Sequence, residues 1–224
     1  EKVTAVIFNP LLLRRPTADG LRLDVGFRDG SLLTVAKVEA DGDEAVFHLA
    51  SGAVVRSHPF ADIWQEINFL EPQGAQARYL SDLAPIDYKH VPLLALSYPL
   101  GVDQNVVGGR LRSGQRLFAR GLGMHSDSRA VFALDREYDR FEAELAIDDS
   151  AGLQGSVVFR VLCDAGGSFH TVYQSPVVRG GDKPLPARVD IRGARRLALL
   201  VESADQGDVL DRANWLGARL VGGE

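Results

Sequence analysis

The chain has 224 residues, of which 46% are hydrophobic and 25% charged, so it is long enough for a substantial core and ordinary in composition for a globular protein. Its formal net charge of −5 argues against a nucleic-acid partner, because binding to phosphates requires a basic surface. The sequence has no apolar run of about 18 residues, the length that a membrane-spanning helix needs. Its single cysteine, Cys163, excludes both an intramolecular disulfide and a multi-cysteine zinc site.

The N-terminal third is predicted to be a small β structure. Residues 1–20 have no clear period and contain two prolines, and we interpret them as an arm or an edge strand. Residues 21–27 then alternate between apolar and polar side chains, as half-buried strands do, and Asp29-Gly30 is typical of a hairpin turn. Further elements are predicted over 32–38, 45–49, 53–56 and 61–70, the last combining a helical turn with a strand. The pattern predicts a small β-barrel or curled sheet over residues 1–72.

A second unit begins after Glu71-Pro72-Gln73-Gly74, which interrupts the alternation. The segment 85–114 is rich in proline and glycine, and we interpret it as a connection wrapped over a sheet. Short alternating strands then follow at regular spacing, over 130–134, 141–147, 157–163, 169–173, 189–191, 197–201 and 215–221. So many short strands without a helical period predict an antiparallel β-sandwich over residues 75–224. Cys163 occupies an apolar position of its strand and is predicted to be a buried, unreactive thiol.

The segment Arg120–Ser126 carries the strongest functional signal in the sequence. Gly121 and Gly123 allow backbone angles, or a close approach of another segment, that other residues do not, and we predict that they form a structural turn. His125 and Ser126 follow, and both side chains can form hydrogen bonds. A glycine-rich turn that leads into strands with acidic ends is typical of the binding edge of a β-sandwich.

Sequence signatures of the common catalytic sites are missing. The chain has no Gly-x-Ser-x-Gly elbow, His-Glu-x-x-His helix or phosphate-binding loop, and its 5 histidines lack metal-ligand spacing. His125 and Ser126 are adjacent, and adjacent residues of an extended strand point to opposite faces, which argues against a catalytic triad. Asp148 with Asp211 is the pair of carboxyl groups to consider for a glycosidase. The sequence as a whole favours a protein that is not an enzyme.

Acidic residues at strand ends suggest a further site. Asp148 and Asp149 end one predicted strand, and three more aspartates precede the last strand. Calcium takes about six to eight hard oxygen ligands, so Asp148 and Asp149 are candidate ligands of a structural calcium ion. These two carboxylates are also suited to accept hydrogen bonds from the backbone amides of the following Ser150-Ala151-Gly152 turn.

Trp215, at the start of the last predicted strand, has two interpretations. A sugar ring presents an apolar face flanked by hydroxyl groups, so a sugar site combines an exposed aromatic ring with polar groups. Trp215 is a candidate for that ring. It is also followed by apolar residues at core positions, and the commoner role of such a tryptophan is to pack in the core.

The order of the motifs resembles that of the NPCBM family of carbohydrate-binding modules. The resemblance covers about residues 75–221 and rests on Gly-Leu-Gly-Met-His-Ser at 121–126, Ile-Asp-Asp-Ser-Ala-Gly at 147–152, Gly-Ser-Val-Val-Phe-Arg-Val at 155–161 and Asp-Arg-Ala-Asn-Trp at 211–215. It implies a galactose-binding-like jelly roll and a non-catalytic module attached to glycoside hydrolases or large exported proteins. Some family members bind galactose-containing glycans. The family's last motif usually has histidine and aspartate where this chain has Arg212 and Asn214.

The resemblance and the residue patterns together define the predicted site. We predict that the ligand is bound by His125, Ser126, Asp211, Asn214 and Trp215. The predicted function is recognition of glycans, including galactose-containing ones, by loops at one end of the sandwich. The alternative is a structural or protein-interaction module of an exported bacterial protein. The start at glutamate rather than methionine is compatible with the removal of a signal peptide, which the sequence itself does not show. From the resemblance to modules of exported bacterial proteins we expect an extracellular or periplasmic location.

Overall fold

A computed structural model of the protein describes residues 22–57, 60–73, 77–92 and 96–222. Within these ranges the chain is almost entirely β, as predicted, with antiparallel sheets and one short α-helix. The predicted N-terminal arm over residues 1–20 lies outside the described residues. None of the helical segments in this described part is long and apolar enough to cross a membrane.

The N-terminal sheet contains β1 (Arg22–Phe27), β2 (Leu32–Asp41), β3 (Glu44–Leu49), β4 (Val54–Ser57) and β5 (Ile67–Gln73), with the helix α1 (Phe60–Glu66) before β5. The strand order is β4-β3-β2-β1-β5, and every pairing is antiparallel. The Asp29-Gly30 turn forms as predicted: Gly30 has a φ of 89°, and Asp29 accepts hydrogen bonds from the amide and the hydroxyl of Ser31. Among the described residues β4 and β5 do not pair, so this region is an open sheet rather than a closed barrel.

The rest of the described chain forms a sandwich of two six-stranded sheets and one hairpin. Its strands are β6 (Ala77–Tyr79), β7 (Asp87–His90), β8 (Gly101–Val102), β9 (Leu111–Ser113), β10 (Arg116–Phe118), β11 (Gly121–His125), β12 (Ser128–Ala133), β13 (Arg140–Ile147), β14 (Ser156–Asp164), β15 (His170–Gln174), β16 (Val178–Arg179), β17 (Leu185–Asp190), β18 (Arg196–Ser203), β19 (Asp205–Asp208) and β20 (Arg212–Val221). The first sheet has the order β17-β13-β20-β11-β8, with β6 beside β20. The second has the order β15-β14-β18-β12-β7, with β16 beside β14, and β9 pairs with β10. The strands β7, β8 and β9 come from the segment 85–114, which the sequence predicts to be a connection only.

Alternate residues of the two sheets meet in a shared core between the layers. Trp215 is fully buried there, with its ring edge-on to those of Phe141 and Phe159 at centroid distances of 5.9 and 4.9 Å. Burying a large apolar side chain stabilises a fold by roughly 1.5–3 kcal/mol, so a core of this size dominates the stability of the sandwich. Cys163 is buried in the same core, and burial raises the pKa of its thiol to about 11, which confirms the prediction of an unreactive cysteine.

Gly121 and Gly123 lie within strand β11 rather than in a turn, which corrects the sequence-based prediction. A Cβ atom at Gly121 would lie 2.4 Å from the carbonyl oxygen of Trp215, and one at Gly123 would lie 2.5 Å from the carbonyl oxygen of Gln104. The glycines are therefore required because neighbouring backbone approaches β11 closely. All residues of β11 are buried, since both faces of the strand are covered.

Candidate functional site

Asp148 organises the end of the sandwich where β13 finishes and β20 begins. Its side chain is buried, and Oδ1 accepts hydrogen bonds from Asn105 Nδ2 and from the Ser150 amide, each at 3.0 Å. Oδ2 accepts hydrogen bonds from the Arg112 amide at 3.1 Å and from Asn214 Nδ2 at 2.7 Å. Donors from several separate segments thus converge on one buried carboxylate, which fixes the loops at this end of the sandwich.

The two predicted calcium ligands have structural roles. Asp149 accepts hydrogen bonds from the amides of Gly114 and Gln115 at 2.8 and 2.9 Å, so the neighbouring carboxylates both face N–H donors. Calcium instead requires several oxygen ligands directed at one point, and no group of three or more metal-binding side chains occurs in the described ranges. Both carboxylates cap backbone amides in this structure, as in the alternative interpretation, and the calcium site stays a prediction. Asn214 is fully buried and donates to Asp148, so it does not face a ligand as predicted.

Three other predicted ligand-binding residues are also buried. Trp215 and Ser126 have no exposed surface, and Asp211 is 1% exposed. The prediction that Trp215 stacks on a sugar is wrong, and the alternative of packing in the core is correct. The physical reason is that the first half of β20 runs through the interior of the molecule, where residues 213–216 are all buried.

His125 is buried in a group of three rings, formed with His90 and Tyr98, that we call the ring cluster. The Tyr98 ring stacks on the His125 ring at a centroid distance of 4.3 Å and an interplanar angle of 8°. The His90 and His125 ring centroids are 5.5 Å apart. The Tyr98 amide donates a hydrogen bond to His90 Nδ1 at 3.1 Å, so a neutral His90 carries its proton on Nε2. Sequence reasoning missed His90 and Tyr98 because they lie in the aperiodic segment 85–114.

Burial and nearby charges act in opposite directions on the two histidines. Burial and then the neighbouring His90 lower the pKa of His125, and burial lowers the pKa of His90. The carboxylates of Asp208 and Asp127 raise the pKa of both rings but do not reverse these shifts. Both imidazoles are therefore neutral at pH 7, and their role is packing and hydrogen bonding rather than charge attraction.

Asp211 is a buried acid beside this cluster. Burial raises its pKa to about 6, although the hydrogen bond from the Ser156 amide favours the charged form. Its Oδ1 accepts that amide hydrogen bond at 2.8 Å, and Oδ2 has no hydrogen-bond partner within the described part of the chain. Asp148 and Asp211 are both buried, so neither faces an open cleft as the carboxyl pair of a glycosidase does.

An open groove of about 240 Å³, the outer groove, lies on the outer face of the second sheet. It is lined by Lys89, Val91, Asp127, Ser128, Arg129, Leu200, Val201 and Glu202. The alternation of β7 and β12 creates it, because the paired residues Lys89 and Arg129 point outward while their neighbours His90 and Ser128 are turned inward. The outer groove and the ring cluster thus lie on opposite faces of the strand pair β7 and β12.

The polar rim of the outer groove is held by contacts with residues outside it. These contacts join Arg129 to Asp87 at 2.6 Å, Glu202 to Arg160 at 2.9 Å, and Asp127 to the amide and hydroxyl of Ser203 at 3.3 Å. Asp127 has a φ of 55°, and its carbonyl oxygen accepts a hydrogen bond from the Val91 amide at 2.9 Å, so the two groove residues are held together. The rim is therefore largely preorganised before any ligand binds.

A smaller cavity of about 160 Å³ lies on the outer face of the first sheet, lined in part by Glu142, Arg188 and Arg219. Glu142 accepts hydrogen bonds from Arg140 Nε at 2.7 Å and from Arg219 Nη2 at 2.8 Å. The outer groove is the larger of the two and adjoins the Gly121–Ser126 motif, so it is the better candidate for a ligand site.

Comparison with known proteins places these features in a family context. The sequence model of the NPCBM/NEW2 domain matches residues 76–221. A protein of Renibacterium salmoninarum, provisionally named an endo-alpha-N-acetylgalactosaminidase, is 29% identical over 114 residues, which are 51% of this chain and 7% of that protein. This chain therefore spans only a small part of that curated relative.

Two solved structures have a similar fold. The CBM51 module of a Clostridium perfringens GH95 protein, in complex with methyl-galactose, has a TM-score of 0.56 and 22% identity, covering 65% of this chain and 99% of that one. The CBM51-2 and INT domains of Clostridium perfringens ZmpB, in complex with GlcNAc, also have a TM-score of 0.56 and 22% identity, covering 84% of this chain and 40% of that one. At this identity the similarity establishes the fold.

Proposed function

The chain belongs to the NPCBM/NEW2 domain family, and from that membership we propose that it is a non-catalytic module that binds glycans in the outer groove. The outer groove itself carries the proposal, because it combines the apolar side chains of Val91 and Leu200 with a fixed polar rim. A pyranose ring has an apolar face edged by hydroxyl groups, so it matches such a groove in shape and in chemistry. The groove also adjoins the Gly121–Ser126 motif through Asp127.

Each group of the outer groove has a role in this proposal. The sugar lies across Val91 and Leu200, and its hydroxyl groups accept hydrogen bonds from Lys89 and donate to the carboxylates of Asp127 and Glu202. The ring cluster does not contact the sugar. The His125 carbonyl oxygen accepts a hydrogen bond from the Ser128 hydroxyl, which holds the turn that carries Asp127. His125 is then a positioning residue rather than the ligand-binding residue that the sequence predicts.

Isothermal titration calorimetry with methyl-galactose and with GlcNAc, the sugars bound in the two similar structures, tests the proposal. Binding in so open a groove is expected to be weak, with a Kd on the order of 10 µM to 1 mM. Lys89→Ala and Glu202→Ala should each raise the Kd about tenfold, because each removes a hydrogen bond that a charged group makes to a hydroxyl.

Arg188→Ala is the matched control, because it removes a charged side chain from the cavity on the other sheet and should leave the Kd unchanged. A Kd that changes in Arg188→Ala but not in Lys89→Ala or Glu202→Ala would move the site to that cavity. If neither sugar nor any glycan of an array binds, the structural or protein-interaction alternative replaces this proposal.

The proposed context is a larger exported protein in which this module localises other domains on glycans. The proposal is supported by the small share of the Renibacterium salmoninarum protein that the chain spans, 7%. It is also supported by the presence of INT domains alongside the CBM51-2 module in one similar structure. Attachment to a multidomain protein would increase the effective affinity of a weak sugar site through avidity.

A further inference from the structure

Arg120 lies where the N-terminal sheet meets the sandwich, directly before β11. Its side chain is 14% exposed, and its guanidinium is close to carboxylates from three separate segments. Nη1 lies 2.8 Å from Asp82 Oδ1 and 3.3 Å from Asp103 Oδ2, and Nε lies 3.7 Å from Asp24 Oδ2. Asp82 and Asp103 belong to the sandwich region, whereas Asp24 belongs to β1 of the N-terminal sheet.

Asp24 brings a buried charge to this junction. The residue is 2% exposed, and its Oδ1 accepts a hydrogen bond from the Thr34 hydroxyl at 2.6 Å. A buried carboxylate is strongly destabilising unless it is paired and hydrogen-bonded. The N-terminal sheet therefore presents an acidic group that needs a cation nearby, and Arg120 of the sandwich supplies it.

The sandwich holds Arg120 in place on its own side of the junction. The guanidinium lies over the Tyr79 ring at 5.5 Å from the ring centroid. Asp103, which pairs with Arg120, also accepts a hydrogen bond from the Gly121 amide at 3.1 Å. The side chain is thus oriented by residues that lie beside β11 and β20 before it contacts Asp24.

Two further contacts cross the same junction. The Arg110 guanidinium donates a hydrogen bond to the Gly30 carbonyl oxygen in the first hairpin of the N-terminal sheet. Strand β10 also packs against β5. The N-terminal sheet is therefore contacted by the sandwich region at its first hairpin, at β1 and at its edge strand β5.

From these contacts we infer that the N-terminal sheet and the sandwich form one rigid body, with Arg120 as the clamp between them. The planar guanidinium has enough donors to bridge several carboxylates at once, which a lysine ammonium does less well. Without the Arg120 guanidinium, the carboxylates of Asp24, Asp82 and Asp103 would repel one another with no shared cation between them. This repulsion would separate the N-terminal sheet from the sandwich. The N-terminal sheet is then a fixed extension of the module rather than a freely tethered domain.

Double electron–electron resonance on the whole chain tests this inference. Spin labels are attached at Asp43→Cys in the N-terminal sheet and Lys183→Cys in the sandwich, both exposed positions. Cys163 is buried and does not compete for the label. We expect one narrow distance distribution in the otherwise unchanged chain and a distribution at least about twice as broad after Arg120→Ala. Arg192→Ala removes an exposed arginine that pairs with Asp190, and as the control it should leave the distribution narrow.

The experiment tests two claims separately: that the sheet and the sandwich form one rigid body, and that Arg120 holds them together. A broad distribution before Arg120 is changed would overturn the rigid body, and a distribution that stays narrow in Arg120→Ala would overturn the clamp. If Arg120→Ala does not fold, Asp24→Asn tests the same contact from the other side by removing one negative charge. The distance distribution of Asp24→Asn should broaden by less than about twofold, but by more than that of Arg192→Ala. A distribution as narrow as that of Arg192→Ala would contradict the clamp.

Discussion

Asp148 and Asp211 are two aspartates with the same burial, 1% exposed, and opposite environments. Asp148 accepts hydrogen bonds from Asn105, Arg112, Ser150 and Asn214. Asp211 accepts one from the Ser156 amide, and its second oxygen has no hydrogen-bond partner in the described ranges. An aspartate of these motifs can therefore have all its oxygens hydrogen-bonded, as in Asp148, or be buried with one oxygen lacking a hydrogen bond, as in Asp211. The degree of burial alone does not distinguish the two cases.

The comparison also separates scaffold from candidate site. Both oxygens of the Asp148 carboxylate accept hydrogen bonds from N–H donors of the protein itself. The Asp211 end adjoins the ring cluster, and the outer groove lies on the other side of the same strands.

Asp148→Ala should produce the largest change in stability. It leaves several buried N–H donors without their acceptor, so we expect the free energy of unfolding to fall by roughly 3 to 5 kcal/mol. Urea unfolding followed by tryptophan fluorescence and far-UV circular dichroism measures this change. Asp149→Ala, which removes an acceptor of two exposed amide hydrogen bonds, is the control and should lower the free energy by only about 1 kcal/mol. Equal losses in the two variants would contradict the central role of Asp148.

Asp211 should make stability fall as the pH rises. The folded protein holds this proton up to a pKa of about 6, whereas the ordinary value is 3.8, so the folded state binds more protons between these pH values. The free energy of unfolding of the wild type should therefore fall, relative to Asp211→Asn, by on the order of 1 to 2 kcal/mol from pH 4 to pH 7. Urea titrations at the two pH values measure the difference. If the difference in free energy of unfolding between the wild type and Asp211→Asn does not change with pH, the pKa of Asp211 is not raised in the folded protein.

Asp164 should give a smaller effect with the opposite sign. The amides of Gly167 and Gly166, and then Arg196, lower its pKa from 3.8 to about 2. Its contribution to stability is therefore present above about pH 4 and is lost as the pH falls towards 2. Asp164→Asn should lower the thermal midpoint by a few degrees at pH 6 and by less at pH 2, as followed by circular dichroism. An equal shift at both pH values would contradict the charge-based explanation.

The sequence predicted the sandwich well because period-two alternation marks strands that bury one face, as in β13 and β14. It did not predict β7 or the other two members of the ring cluster, His90 and Tyr98, because these residues lie in a segment that contains prolines and has no period. It also did not predict that Ser126 and His125 would both be buried. Consecutive residues on a strand normally face opposite sides, but both sides of β11 are covered.

The residues of the outer groove were not predicted from the sequence, for a different reason. Its residues come from β7, β12 and β18 and from Val91 and Asp127, which directly flank β7 and β12. Only the pairing of these strands brings Lys89, Arg129 and Leu200 together. Each of these residues alone looks like ordinary exposed surface, because no local pattern records which strands become neighbours.

Nuclear magnetic resonance titration of the ¹⁵N-labelled chain with methyl-galactose tests most directly whether glycans bind in the outer groove. We predict that the amide shifts of Lys89, Val91, Asp127, Arg129 and Glu202 change in a saturable way, while the amides around Asp148 stay constant. Saturable shifts centred on Asp148 and Asn105, with none at the outer groove, would contradict the account.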